Sequence, residues 1–275
     1  MHYREYAKQI LLGETLEDKL LTCSSVEFTN DSNEKNSSFE LPTNPGRCQR
    51  LKFNNEQTKF PRSASFHLEE KRGLALHFFA NHELLAIEMM AAAMLIYPDA
   101  NNEMIKFKRG LYKTILDEQK HLKLYINRMN DFKIELGDFP LNDFFWRSME
   151  KMPTASHFYS AMALTFESAN LDFAQFYEKS FREVEDFKTA NIMRVVLEDE
   201  ISHVALGAHW LNQWRGDKTL WDYYRTHLPG VMTPARAKGI GFDQAIRRRV
   251  GLSEDFLIEL DKFRDDFKVT NRKNW

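Results

Sequence analysis

Asp117-Glu118-Gln119-Lys120-His121 and Asp199-Glu200-Ile201-Ser202-His203 are one Asp-Glu-x-x-His arrangement, written twice, 82 residues apart. A helix advances about 100° per residue, so Glu118 shares a face with His121, and Glu200 with His203. Each pair presents a carboxylate and an imidazole to one metal ion. A four-helix carboxylate protein that holds two iron or manganese ions needs two such pairs and one glutamate from each of two further helices. The apolar helical pattern Phe78 to Met90 contains Glu83 and Glu88, and the pattern Ala161 to Leu171 contains Glu167. From Glu83 to Glu118 is 35 residues and from Glu167 to Glu200 is 33. Two helix pairs with nearly equal internal spacing read as a duplicated half-site, with Glu83, Glu118, His121, Glu167, Glu200 and His203 as metal ligands and catalytic residues. Glu88 lies five residues after Glu83, about 140° around the helix. It is therefore read as a supporting group, an extra ligand or a hydrogen-bonded acid.

The composition suits this fold. A chain of 275 residues, 43% of them hydrophobic, buries a substantial core. The net charge of -2 implies no bulk attraction to nucleic acid or to an anionic membrane. Two cysteines, Cys23 and Cys48, make neither a disulfide framework nor a thiolate cluster. With no presequence pattern and no run of about 18 apolar residues, the expected setting is the cytoplasm, without a membrane.

The expected organisation is all-α. Residues 1–67 form an N-terminal helix, over about 3 to 22, and an irregular extension. This extension includes the polar stretch Thr29 to Ser38 and the breakers Pro42, Pro45, Gly46 and Pro61. Residues 68–216 form a four-helix di-metal bundle, with helices expected over 68–97, 102–131, 154–180 and 184–215. Residues 217–275 form a C-terminal helical extension packed on the bundle, with short helices near 243–249 and 253–267. A phosphate-binding glycine loop is not present in the sequence.

Carboxylates and neutral imidazoles suit Fe(II) or Mn(II), whereas structural zinc favours thiolates or a closed set of four. Two iron ions are the expected cofactor, with manganese or a mixed pair open. Asp117 and Asp199, each preceding a ligand glutamate, are read as acceptors for the second nitrogen of a ligand histidine, against the plainer reading of surface acids. His82, His157 and Tyr125 are candidates for the pocket, against the plainer reading of packed core residues. Arg236, Lys238, Arg247, Arg248 and Arg249 read either as a local basic patch or as a solvated helix face.

With these residues in place, the chain resembles the ferritin-like proteins of the DUF455 family and, more distantly, the di-iron tRNA hydroxylases that act on a hypermodified adenosine. The resemblance rests on the Ala7-to-Leu20 helix, Pro45-Gly46-Arg47, His82 to Glu88, both Asp-Glu-x-x-His motifs, Phe166 to Asp172 and a late tract from Ala237 to Gly251. It implies a four-helix bundle carrying the six metal ligands. The family's late Arg-Gly-Pro-Phe-Asn-like tract here reads Leu228-Pro229-Gly230-Val231-Met232-Thr233-Pro234, so substrate does not transfer with it. The expected activity is that of a non-haem di-iron oxidoreductase, an oxygenase or oxidase that uses O2 on an unidentified organic substrate, with electrons from a separate protein. The weighed alternatives are a ferroxidase or peroxide-reducing ferritin-like protein, a di-manganese hydrolase and a noncatalytic helical interaction protein. A tRNA partner and a homodimer stay open.

Overall fold

Helix boundaries in this chain are set by local chemistry that the apolar periodicity leaves out. The computed structural model describes residues 1–29, 39–56, 58–230 and 232–265. Residues 30–38 of the polar stretch, Val231 and the end of the helix expected over 253–267 lie outside the described residues. The architecture is all-helical, and among the described residues the only extended pairings are two isolated bridges, His2 with Glu27 and Phe53 with Leu141. The chain divides into two compact units, Met1–Glu150 and Lys151–Trp275.

The first unit is built on two long helices, α3 (Glu69–Ile96) and α4 (Asn102–Asp131), which follow α1 (Tyr3–Leu12) and α2 (Leu16–Lys19). The single N-terminal helix expected over 3 to 22 is broken. Gly13 closes α1 by donating to the Gln9 carbonyl, and Thr15 opens α2 in a reciprocal cap. In that cap Asp18 N donates to Thr15 Oγ1 at 3.1 Å, and Thr15 N donates to Asp18 Oδ2 at 3.0 Å. Helix α3 is apolar over nearly its whole circumference and almost all of it after Gly73 is buried. Its length and composition match a membrane span, yet most of that window is buried in the protein. Helix α4 starts where the Asn101 side chain accepts from Met104 N at 3.0 Å. Helices α1 and α4 pack against α3.

The second unit repeats the pairing. Helices α5 (Ala155–Ala161) and α6 (Ser168–Glu183) are separated by a π-helical turn over Met162–Glu167, and α6 pairs with α7 (Phe187–Trp214). The uninterrupted helix expected over 154–180 is thus corrected. The wider turn is held by Thr165, whose hydroxyl donates to the Ser160 carbonyl at 2.7 Å and pairs with the Tyr224 hydroxyl at 2.9 Å. Three short helices follow, α8 (Leu220–Thr226), α9 (Gln244–Arg249) and α10 (Glu254–Lys262). The first was not expected. Its start is marked by Thr219, whose hydroxyl accepts from Asp222 N at 3.1 Å.

His77 joins α3 to the segment after α4. Its Nε2 accepts from Gly137 N at 3.0 Å, and its ring meets Phe139 at 5.3 Å. Burial lowers its pKa from 6.5 to about 4, because the charged ring is disfavoured out of water. In the unfolded chain the ring takes up its proton near pH 6.5, so its stabilising contribution is complete above that pH and is lost as pH falls through about 4. Urea midpoints measured from pH 7.5 downward are expected to fall less steeply between 6.5 and 4 in His77→Gln than in the native chain. Parallel curves would rule out His77 as a source of acid sensitivity.

Candidate metal site

Each unit contains one buried set of two glutamates and a histidine. In the first unit, α3 supplies Glu83 and α4 supplies Glu118 and His121. One ligand atom from each lies within 4.8 Å of the others. In the second, Glu167 ends the π turn while α7 supplies Glu200 and His203, again with ligand atoms within 4.8 Å. None of the six is more than 6% exposed. The two sets agree closely in local geometry. His121 Nδ1 lies 3.5 Å from Glu118 Oε2, and His203 Nδ1 lies 3.4 Å from Glu200 Oε2. The i,i+3 spacing stacks each carboxylate and ring on one helix face, as the sequence required.

These buried carboxylate and histidine groups could hold a metal ion. Two carboxylates at this separation, shielded from water, repel one another, and a divalent cation reverses the sign of that interaction. The donors are hard oxygens and neutral imidazole nitrogen, the chemistry of Fe(II) or Mn(II) rather than of a thiolate zinc site. Three donors leave coordination positions open to water or substrate. In the second unit the Asn170 amide donates to Glu200 Oε1 at 3.0 Å. The buried Oε2 takes no hydrogen bond among the described residues.

The remaining candidates are placed as follows. Glu88 is not with Glu83; it is fully buried and held by Arg47 and Lys19. Asp117 is half-buried, with Oδ1 3.6 Å from Lys120 Nζ, and Asp199 is half-buried on α7. Tyr125 is buried, its ring 5.6 Å from that of Phe79. The His82 ring stands 4.9 Å from Phe145, and burial lowers its pKa to about 4. His157 Nδ1 is 2.8 Å from Thr154 Oγ1, and its ring meets that of His227 at 4.8 Å. Burial and then the His227 charge lower the pKa of His157. The basic cluster divides between buried Arg247 and exposed Arg248 and Arg249. Arg247 is fully buried, Arg248 pairs with Glu254, Arg249 pairs with Glu198, and Lys238 donates to the Asp261 and Phe263 carbonyls.

Sequence reasoning missed two contributors. Asn170 stands three residues after Glu167, a spacing that puts both on one face and was available as a signal. Tyr159 is buried, and its pKa is raised well above the ordinary value, first by burial and then by the charge of Glu167. The intervening π turn hides that proximity from a count at 3.6 residues per turn.

A family model described as "Protein of unknown function (DUF455)" matches residues 9–258. A protein of Haemophilus influenzae described as uncharacterized is 28% identical over 153 residues, covering 53% of this chain and 52% of the relative. The chain thus spans about half the length of that curated relative. No solved structure matches.

Gly207 lies one turn after His203. A Cβ there would stand 2.2 Å from the Ala163 Cβ in the π turn. Gly207→Ala is expected to destabilise the protein by about 1–3 kcal/mol through overpacking and to weaken Co(II) binding, since the strain falls between Glu167 and His203. Urea unfolding and a Co(II) titration check this. Native stability in the variant would mean that α7 and the π turn separate without cost.

Proposed function

We propose that this chain, which belongs to the DUF455 family, is a two-iron oxidoreductase of the ferritin-like, four-helix kind that oxidises or hydroxylates an organic substrate with O2. The observation that carries this reading is the duplication: two buried Glu-Glu-His sets, built on two helix pairs, with the same histidine-to-carboxylate distance to within 0.1 Å. When bound, a pair of ferrous ions would supply electrons to O2 and the oxidising power for the substrate.

The chain's own residues would do the rest. His121 and His203 would offer Nδ1, the nitrogen that faces the neighbouring glutamate. Glu118 and Glu200 would offer Oε2, with Asn170 fixing the second oxygen of Glu200 and so the plane of that carboxylate. Glu83 and Glu167 would complete the two sets and balance the charge of the ions. Tyr159 keeps its proton on the phenol oxygen at neutral pH, because burial and the Glu167 charge both oppose its loss. It is thereby suited to hold a hydrogen bond beside an anion. Burial of all six ligands excludes bulk water, which strengthens every electrostatic interaction among them. Repeated turnover requires reducing equivalents, which we assign to a separate donor protein.

Anaerobic Fe(II) titration of the full chain, followed by oxygen-electrode measurement, tests the reading. Uptake of two ions per chain and O2 consumption dependent on them are expected. Glu118→Ala and Glu200→Ala should each remove an equivalent while the far-ultraviolet circular dichroism stays helical. Two ions retained by either folded variant would refute the ligand assignment, and iron uptake without O2 consumption would refute the oxidoreductase reading.

A further inference from the structure

The duplication extends beyond the metal ligands. Five residues after Glu83, and five after Glu167, stands a second buried acid: Glu88 and Asp172 respectively. Each is gripped through both oxygens by one buried arginine that arrives from outside the helix pair. Arg47 donates from Nε to Glu88 Oε1 at 3.0 Å and from Nη2 to Oε2 at 2.6 Å. Arg247 donates from Nη1 to Asp172 Oδ1 at 2.7 Å and from Nη2 to Oδ2 at 2.8 Å. Each guanidinium lies over a phenylalanine, Arg47 at 4.2 Å from the Phe53 ring and Arg247 at 4.3 Å from Phe242. Each also ties down backbone. Arg47 donates to the Leu51 carbonyl, and Arg247 to the Ser168, Ala237 and Asp243 carbonyls. Gly46 lets the Arg47 segment run close to the end of α1, where any Cβ would meet the Leu12 oxygen at 2.0 Å.

We propose that Arg47 and Arg247 are matched positioning residues. Each clamps the carboxylate five residues beyond a metal-binding glutamate, which sets the rotation of the helix carrying Glu83 or Glu167 and withholds Glu88 or Asp172 from the metal. This inference rests on the metal reading above. The geometry supplies the reason. Five residues are about 140° of helical rotation, so the clamp holds the back of the helix whose front presents the ligand. A planar guanidinium bound at two points resists rotation, which a single ammonium contact does not. An acid left without its arginine would be a rival anionic ligand within one and a half turns of the true one. In the first unit Lys19 adds a second cation to Glu88 at 3.1 Å, whereas the further contacts to Asp172 come from the neutral backbone amides of Gly239 and Asp243.

The test is a Co(II) titration of the full-length protein, read by visible ligand-field absorption and calorimetry, for the native chain, Arg247→Lys and the double variant Asp172→Asn with Arg247→Gln. The double variant removes both charges together, so no lone buried charge remains to unfold the protein. About a 10-fold loss of affinity at one of two Co(II) equivalents is expected in both variants, the range seen when groups behind metal ligands are removed. The other equivalent should keep its affinity and spectrum. Arg47→Lys should weaken the opposite equivalent, and by less because Lys19 remains. A purely structural clamp would lower the unfolding midpoint and leave affinity and spectrum as in the native chain, and that result would overturn the proposal while leaving the metal reading intact. No Co(II) uptake by the native chain would overturn both.

Discussion

A carboxylate taken out of water must be met by a positive charge or by a set of strong donors, and this requirement organises the protein. Six acids lie buried along the four long helical tracts: Glu83, Glu88, Glu118, Glu167, Asp172 and Glu200. Desolvation makes each of them costly alone. Glu88 is paired with Arg47 and Lys19, and Asp172 with Arg247. The remaining four lie in sets with a histidine that could hold a metal ion, and Glu200 also accepts from the Asn170 amide. Each helix pair thus carries a carboxylate paired with an arginine beside a carboxylate-histidine set that could hold a metal ion.

The segments outside the long helices gain a purpose from this division. The N-terminal part delivers Arg47 and Lys19 to α3, and Gln119, next to Glu118, donates to the Lys19 and Leu21 carbonyls. The C-terminal part delivers Arg247 to α6, and the amides of Gly239 and Asp243 also donate to Asp172. Both segments contact a helical tract that carries a candidate metal ligand. Of the late arginines, Arg247 is buried against Asp172, while Arg248 and Arg249 make exposed pairs with Glu254 and Glu198.

The helices and the ligand sets were legible because they rest on periodicity. Glu118 with His121 and Glu200 with His203 follow from i,i+3 spacing alone, and α4 ends and begins where the apolar pattern does. The break at Gly13, the π turn before Ser168 and α8 were not legible from that pattern. Each depends on a cap or on a side-chain bond that competes with the helix. At the π turn, the Thr165 hydroxyl takes the Ser160 carbonyl, which widens the ring and rephases Glu167 relative to a regular helix. Asn170 was visible by spacing but not by role, because an amide three residues from a carboxylate is ordinary on any helix.

The sequence by itself determined the helical class and the repeated pairing of Glu118 with His121 and of Glu200 with His203, because a helix converts spacing along the chain directly into position on a face. Only the tertiary structure decided which of Glu83 and Glu88 joins the histidine and which joins an arginine. It also placed Arg247, one of the late basic cluster, in the core against Asp172 and brought the buried Arg47 to Glu88. Those partners are brought together by the packing of segments 41 and 75 residues apart, and no local rule of spacing carries that information. The free energy that selects the pairing comes from burial, and burial exists only once the chain has folded.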